Sequence, residues 1–304
     1  MKKIVILGCE NSHANMFLRF MKENPRYADV QVVGVYSEET EAAQKLAAEF
    51  GVPVMASYDE AVGKVDGVMV TARHGDNHYK YAKPYMASGV PMFMDKPITV
   101  SEADALQMVA DCKKYGVRLT GGSSCVHDEW VQTLKKERIE KFDGETLGGY
   151  LRCPVNLEND YGGFFFYSEH LIGVMMEIFG CDVKSVQAFK NGGKLTVVFR
   201  YQDFDVTGLY VDKNFTCYSA CRVSEHHVRS SEYPITEDSP CFKIELEEFY
   251  GLLCGNEQRR SYHDFIAPVF VMNAVNESLQ SGKEAAVRTY EVYFKDLQFC
   301  RSFF

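Results

Sequence analysis

The sequence predicts an α/β protein in which a Rossmann-like, doubly wound parallel sheet is followed by an α+β domain with an open, mostly antiparallel sheet. Over residues 1–122, short apolar segments alternate with amphipathic ones, and strands separated by helices pair in parallel through right-handed crossovers. After Gly122, several strand-like segments follow one another with only short turns between them. We therefore predict two domains, the first over residues 1–122 and the second over 123–304.

The alternation predicts six parallel strands in the first domain. Gly51 and Gly116 follow helical segments, where a glycine accepts the left-handed conformation that often ends a helix. Ser101 and Asp104 form a capping box before an apolar helical segment. The strands that the pattern places individually are Ile4–Leu7, Val30–Tyr36, Asp66–Val70, Pro91–Met94 and Val117–Thr120.

The second domain is predicted from apolar helices and consecutive strands. Phe164–Phe179 is strongly apolar and is followed by Gly180, which predicts a buried helix. Turn sequences such as Asn191-Gly192-Gly193 separate the strand-like segments and predict an antiparallel meander. The other predicted elements are helices at Glu129–Phe142, Glu245–Leu253 and Phe265–Gln280 and strands at Leu147–Cys153, Val183–Phe189, Leu195–Tyr201, Val206–Val211 and Phe215–Ser219.

Composition narrows the class of partner. The net charge of -9 disfavours nucleic acid and anionic membranes, because phosphate binding needs a surplus of lysine and arginine. No segment reaches the roughly 18 apolar residues of a membrane-spanning helix. The 10 cysteines stand singly, without a CxxC pair, which is typical of reduced thiols. We expect a cytoplasmic protein that acts on a small molecule.

The turn after the first strand is Gly8-Cys9-Glu10-Asn11-Ser12-His13, at the position of a glycine-rich phosphate loop. Only the first of three typical glycines is present, and Glu10 and His13 replace the others. The helix N-terminus can still hold a phosphate, with Asn11 and Ser12 as donors, and we expect Glu10 to turn outward. The alternative is a turn that no longer binds a dinucleotide.

Ser37 and Glu38 end the second strand, where NAD enzymes carry a ribose-binding acid. Serine tolerates a 2′-phosphate, but no arginine follows to neutralise one. Glu38 either binds a ribose hydroxyl or begins the next helix. The choice between NAD and NADP stays open on sequence alone.

The sharpest pair of residues is Lys96 and His170. Lys96 lies in Asp95-Lys96-Pro97, at the carboxyl end of a predicted strand, where open α/β sheets bind ligands. A lysine and a histidine that converge on one carbinol can position it and transfer its proton while a hydride leaves for a nicotinamide. We predict that both face one pocket between the domains, near Tyr161 or Tyr167. A buried structural role is the alternative for His170.

The other histidines give only weak indications of metal binding. His74, Asp76 and His78 do not have a recognised metal-ligand spacing, and neither do His226 and His227 with Cys221. We predict no metal site.

These residues resemble the Gfo/Idh/MocA family of NAD(P)-dependent oxidoreductases from residue 3 to about 287. Asp95-Lys96-Pro97 is similar to the family's Glu-Lys-Pro motif. Thr71-Ala72 with His78 is similar to its Thr-Pro segment with a downstream histidine, and residues 162–180 to its glycine-led catalytic helix. The resemblance implies NAD or NADP as cofactor and a sugar, cyclitol or related polyol as substrate. It also implies that Lys96 bridges nicotinamide and substrate and that His170 acts as acid–base.

The resemblance implies a set of site residues. The expected catalytic residues are Lys96 and His170, and the expected substrate-pocket residues are Tyr161 and Tyr167. The expected cofactor-binding residues are Gly8, Cys9, Glu10, Asn11, Ser12, Ser37, Glu38, Thr71, Ala72, His78, Asp95 and Lys96. Phe166 stands where the family has an aspartate four residues before the histidine, and helical spacing is expected to turn Tyr167 and Glu169 away from His170.

Two functions follow as hypotheses. The first is a dehydrogenase or reductase that transfers a hydride between a nicotinamide and a polyol. The second is a non-redox binding or regulatory protein on the same scaffold, because fold does not fix function. In either case the apolar strands after Val183 offer an open face, so we expect a homo-oligomer that pairs these faces.

Overall fold

A parallel sheet with helices between its strands forms the first part of the chain. The structure is a computed structural model that describes residues 1–288. Its first strands are β1 (Lys2–Leu7), β2 (Val30–Tyr36), β3 (Gly67–Val70), β4 (Met92–Asp95) and β5 (Leu119–Gly122), and its first helices are α1 (Ser12–Glu23), α2 (Thr40–Phe50), α3 (Asp76–Met86) and α4 (Glu102–Tyr115). The five strands pair in the order β2-β1-β3-β4-β5, all in parallel. The predicted doubly wound sheet is confirmed.

The prediction of six strands in this sheet is wrong by one. Between α2 and β3, Val54 forms only a single parallel bridge to Val35. Pro53, next to it, has no N–H to donate, and the apolar segment there is too short to extend the ladder. The predicted helix ends are confirmed: Gly51 and Gly116 have φ of 70° and 68°.

The second sheet is mixed. The later helices are α5 (Glu129–Ile139), α6 (Phe164–Phe179), α7 (Pro240–Leu253) and α8 (Tyr262–Ser281), and the later strands are β6 (Thr146–Pro154), β7 (Ser185–Asn191), β8 (Lys194–Arg200), β9 (Asp205–Val211), β10 (Ser219–Ser224), β11 (Val228–Glu232) and β12 (Ala285–Ala286). Seven strands pair in the order β11-β10-β6-β9-β8-β7-β12. The predicted antiparallel meander is β7-β8-β9, while β6 pairs in parallel with β9.

The strand predicted at Phe215–Ser219 is misplaced, since β10 begins where that segment ends, and β11 was not predicted. Arg222 interrupts the apolar alternation of β10, yet it is buried because its guanidinium donates to the carbonyl oxygens of Phe142 and Gly144, at 3.1 Å each. β11 is polar and lies at the edge of the sheet.

Later helices return to the first sheet and bring the two sheets together. Phe249 of α7 packs edge-on against Phe93 of β4, and α8 packs against α4 and β7. The start of α6 lies over the carboxyl end of β4, where the Ile98 N–H donates to Glu169 Oε2 at 3.1 Å. Within residues 1–288, none of the helices has the length and apolar character of a membrane span.

Candidate active site

Gly8 makes the tight turn after β1 possible. Its φ is 78°, and a Cβ there would lie 2.3 Å from the Cα of Ala72, so only glycine fits. Thr71 Oγ1 donates to the Gly8 carbonyl at 3.0 Å, and His78 Nε2 lies 2.7 Å from the Ala72 carbonyl. Thr71, Ala72 and His78 are fully buried. They support the turn from the interior of the domain, and their contact with a cofactor stays a prediction.

Glu10 folds inward across the strand ends, and the expectation that it turns outward is wrong. Its Oε2 accepts a hydrogen bond from Ser37 Oγ at 2.6 Å, and its Oε1 accepts one from the Arg73 N–H at 2.9 Å. These donors belong to the segments after β2 and β3, which flank the phosphate turn. The carboxylate therefore links three strand ends.

Asp95 supports the turn from inside. Its Oδ2 accepts from Asn11 Nδ2 at 3.0 Å and lies 2.7 Å from His13 Nδ1, while its Oδ1 accepts from the Lys96 N–H at 2.7 Å. Burial acts to raise the pKa of Asp95, but the adjacent His13 ring and Lys96 outweigh burial and hold it at about 2. Because Asp95 is fully buried and ionised, it positions its neighbours, and its contact with a cofactor stays a prediction.

The first turn of α1 is open to an anion. Its N-cap side chain, that of Asn11, makes no capping hydrogen bond, so backbone N–H groups of that turn stay available. A cavity of about 420 Å³, here called the basic cavity, adjoins this turn and is lined by residues 9–12 together with Arg19, Lys45 and Arg73. Burial raises the pKa of Cys9 to about 12, so its thiol is neutral.

A second cavity, here called the acidic cavity, lies at the carboxyl end of β2. It measures about 400 Å³ and is lined by Glu10, Ser37, Glu38, Glu39, His74, Asp76, Asn77, Tyr81 and Tyr161. Glu38 forms an exposed ion pair with Lys80 at 2.8 Å. Tyr161 reaches this cavity from the second half of the chain, because its hydroxyl accepts a hydrogen bond from Arg73 Nη1 at 2.8 Å.

Lys96, His170 and Tyr167 line one cavity of about 390 Å³, here called the central cavity. The rings of Tyr167 and His170 lie 5.8 Å apart. The expectation that Tyr167 turns away from His170 is wrong, because residues three apart share a helix face. Tyr161 lies in the acidic cavity instead.

The three cavities share lining residues and form one row across the strand ends. Glu10 lines both the acidic and the basic cavity, and Asn11 and Ser12 line both the basic and the central cavity. This row follows the carboxyl edge of β2, β1 and β4, where doubly wound sheets bind ligands.

Lys96 is buried beneath Phe166. Its Nζ donates to the Phe166 carbonyl at 3.2 Å and lies 4.0 Å from the centre of that ring. Burial lowers the pKa of Lys96, and the nearby Asp95 and Glu169 carboxylates oppose this shift. The aromatic ring thus covers the ammonium group at the position where the family has an aspartate.

His170 is held by Ser123, a residue that the sequence did not single out. Its Nδ1 lies 2.8 Å from Ser123 Oγ and 3.4 Å from Cys125 Sγ. Burial, together with the charge of Lys96, holds the pKa of His170 well below its ordinary value, so the ring is neutral. Glu169 turns away as expected, and burial raises its pKa to about 7.

Residues 2–123 match the model of the Gfo/Idh/MocA family, which is described as an oxidoreductase family with an NAD-binding Rossmann fold. The chain therefore carries the cofactor-binding fold of the Gfo/Idh/MocA oxidoreductases. No curated protein matches the chain in sequence. The predicted resemblance to this oxidoreductase family, with its NAD-binding Rossmann fold, is confirmed over residues 2–123.

Solved structures extend the likeness to both sheets. Scyllo-inositol dehydrogenase from Lactobacillus casei superposes with a TM-score of 0.82 at 13% identity, over 94% of this chain and 98% of that one. Myo-inositol 2-dehydrogenase from Lactobacillus plantarum gives 0.81 at 12%, over 94% and 99%. GenD2 from gentamicin A biosynthesis, in complex with NAD, gives 0.81 at 14%, over 95% and 97%. At these identities the likeness confirms the fold of the chain.

Proposed function

We propose that the protein is a nicotinamide-dependent dehydrogenase that transfers a hydride between the cofactor and a hydroxyl or carbonyl group of a cyclitol, sugar or related polyol. The observation that carries the proposal is that Lys96 and His170, from opposite halves of the chain, line one cavity that continues into the phosphate turn. The inositol dehydrogenases that share the fold support the substrate class.

The residues of the cavity row fit a dinucleotide. The first turn of α1, with Arg19 and Arg73 beside it, would hold the pyrophosphate, and the central cavity would receive the nicotinamide. The acidic cavity would take the adenosine ribose. Its carboxylates disfavour a 2′-phosphate, so we propose NAD over NADP. When bound, the cofactor supplies the group that accepts or returns the hydride.

The side chains of the central cavity would have different roles at the reacting oxygen of the substrate. The Lys96 ammonium group, which reaches the cavity from the end of β4, would bind and polarise that oxygen. The neutral His170 ring, fixed at Nδ1 by Ser123, would form a second hydrogen bond to it. Tyr167 would form the wall beside them.

The test is oxidation of myo-inositol and scyllo-inositol, followed by absorbance of NADH. Lys96→Met and His170→Asn should each lower turnover by about 10²-fold or more, because each removes a group that contacts the reacting oxygen. Binding of NADH should persist in His170→Asn. If the parent oxidises a polyol and both variants keep its rate, the residue roles are wrong.

Glu10 favours a second candidate, a non-redox binding protein. Its carboxylate lies between the basic and acidic cavities, in the path of a dinucleotide, and Lys96 has Phe166 where the family has an acid. A parent protein that binds a polyol but no dinucleotide would establish this candidate.

Domain roles and assembly complete the proposal. We propose that residues 1–122 bind the cofactor and that residues 123–304 bind substrate and pair two copies, although 289–304 lie outside the described residues. We further propose that the protein acts in the cytoplasm as a homo-oligomer.

A further inference from the structure

We propose that His13, oriented by Asp95, is the proton acceptor for the substrate hydroxyl, and that this dyad supplies the carboxylate-backed base that the helix with Phe166 lacks. The inference rests on the proposed dehydrogenase function and deepens it. It assigns a role in catalysis to the residue at the third glycine position of the phosphate turn.

The geometry of His13 is that of an oriented base. Its Nδ1 lies 2.7 Å from Asp95 Oδ2, and the carboxylate has no exposed surface. Its ring is held between two aromatic side chains, with the centre of Phe242 at 5.2 Å and that of Phe17 at 6.0 Å. The ring is therefore fixed in position as well as in hydrogen bonding.

The free nitrogen of His13 belongs to the central cavity. His13 lines this cavity together with Lys96 and His170. Because Nδ1 is turned to the buried carboxylate, the ring edge left to line the cavity carries Nε2. Within residues 1–288, Nε2 has no protein hydrogen-bond partner.

Asp95 determines which nitrogen holds the proton. The ionised carboxylate accepts hydrogen bonds only, so His13 must donate from Nδ1, and the neutral form of the ring then has its lone pair on Nε2, at the edge that lines the cavity. Ser123, which faces His170, has a hydroxyl that can donate as well as accept, so it imposes no such state. His170 is also adjacent to Lys96, whose charge opposes a second proton there. His13 is thus the better proton acceptor, and His170 a hydrogen-bonding partner of the same oxygen.

The proposed step balances. In the oxidising direction, the substrate hydroxyl would give its proton to His13 Nε2, and the bound oxidised nicotinamide would supply the acceptor for the hydride that leaves the carbinol carbon with both electrons of the C–H bond. A carbonyl product results, and His13 later releases the proton to water. Asp95 acts through His13 and is a positioning residue.

The substitution Asp95→Asn tests the dyad with almost no change of shape. The Lys96 N–H needs an oxygen at the Oδ1 position, so we expect the new amide nitrogen at the Oδ2 position, where it faces His13 Nδ1. Asn11, which donates to Oδ2 in the parent, must then turn its own amide oxygen towards that nitrogen. The new amide nitrogen also donates to His13, which turns Nδ1 into an acceptor and moves the proton to Nε2. Glu169→Gln, another buried carboxylate-to-amide change but one without contact to His13, is the matched control.

The measurement is the ring-nitrogen NMR spectrum of protein labelled with ¹⁵N-histidine, with His13→Gln to assign the signal. We expect the Nδ1–H tautomer in the parent and in Glu169→Gln, and the Nε2–H tautomer in Asp95→Asn. An Nε2–H tautomer in the parent overturns the proposal. This measurement on the parent does not require any variant to be fully stable or active.

Steady-state kinetics then test the catalytic role of His13 and Asp95 separately from the proposed dehydrogenase activity. With NAD and inositol as probes, His13→Gln and Asp95→Asn should lower kcat at least ~100-fold and change the KM of the polyol less than about threefold. Unchanged kcat in His13→Gln overturns the role of His13. If the parent oxidises neither inositol, the proposed substrate class fails, while the tautomer measurement still decides whether the oriented base exists.

Discussion

Glu10 is the residue whose charge has the most direct consequence for cofactor choice. Its carboxylate lines both the acidic and the basic cavity and bonds to Ser37 Oγ and the Arg73 N–H. A carboxylate about 4 Å from a phosphate costs about 1 to 4 kcal/mol, depending on exposure to solvent. NADPH carries an additional phosphate on its adenosine ribose, so this repulsion should weaken the binding of NADPH more than that of NADH.

We therefore expect Glu10→Gln to strengthen binding of NADPH by about tenfold relative to NADH, since amide and carboxylate have the same shape. The gain should shrink at high salt, where screening weakens the repulsion in the parent. Glu140→Gln is the control, because that exposed carboxylate also pairs with a lysine, Lys136, but lines none of the three cavities. Calorimetric titration checks both variants. Equal changes for the two cofactors would show that Glu10 does not discriminate between them.

At the scale of residues, the sequence was sufficient to single out residues whose position within one strand or helix indicates their role. Lys96 was predicted from its place at a strand end, and His170 from its place on an apolar helix. The direction of Glu10 was predicted wrongly because its partners, Ser37 and Arg73, come from two other strand ends. The contact between His13 and Asp95 joins the first turn of α1 to the end of β4, and no local pattern indicates it.

At the scale of elements, a strong hydrophobic pattern was sufficient to predict a helix or a strand, and a weak pattern was not. Helix α6 has the predicted bounds, Phe164–Phe179, because an apolar segment ended by a glycine has few alternatives. Strands β10 and β11 escaped correct prediction because Arg222 is buried by partners distant in sequence and β11 is polar. Such burial depends on tertiary contacts that a pattern does not contain.

The second sheet presents an open face. Phe189 and Tyr150 on this face are exposed, whereas the opposite row, Leu151-Gly208-Val197, is buried. Leu209 pairs with Thr196 and Arg152 at the middle of the open face and is half-buried. Exposed aromatic and aliphatic side chains on an open sheet face are typical of an interface between copies.

We expect the parent to sediment as a dimer or larger assembly and Leu209→Lys to shift it towards the monomer, because a buried unpaired charge opposes association. Ile139→Lys, at an exposed position at the end of α5 and outside the second sheet, is the control and should leave the assembly intact. Sedimentation velocity measures both. A monomeric parent at micromolar concentration would contradict the predicted interface.

At the scale of the whole molecule, the row of cavities is formed by packing between helices and strands that the sequence pattern does not indicate. The strand–helix alternation predicted the first sheet, but not that α7 would pack on it through Phe249 and Phe93 or that α8 would pack on α4. These contacts place the start of α6 over the end of β4, so that Lys96 Nζ meets the Phe166 carbonyl. The cavity row is a product of this arrangement.

The central claim is that this row of cavities is a dinucleotide site with a preference for NAD. Calorimetric titration of the parent protein with NADH, and separately with NADPH, tests it most directly. We predict one saturable site per chain and at least about tenfold tighter binding of NADH, because the acidic cavity repels a 2′-phosphate. Absence of binding by either cofactor, or tighter binding of NADPH, would contradict the account.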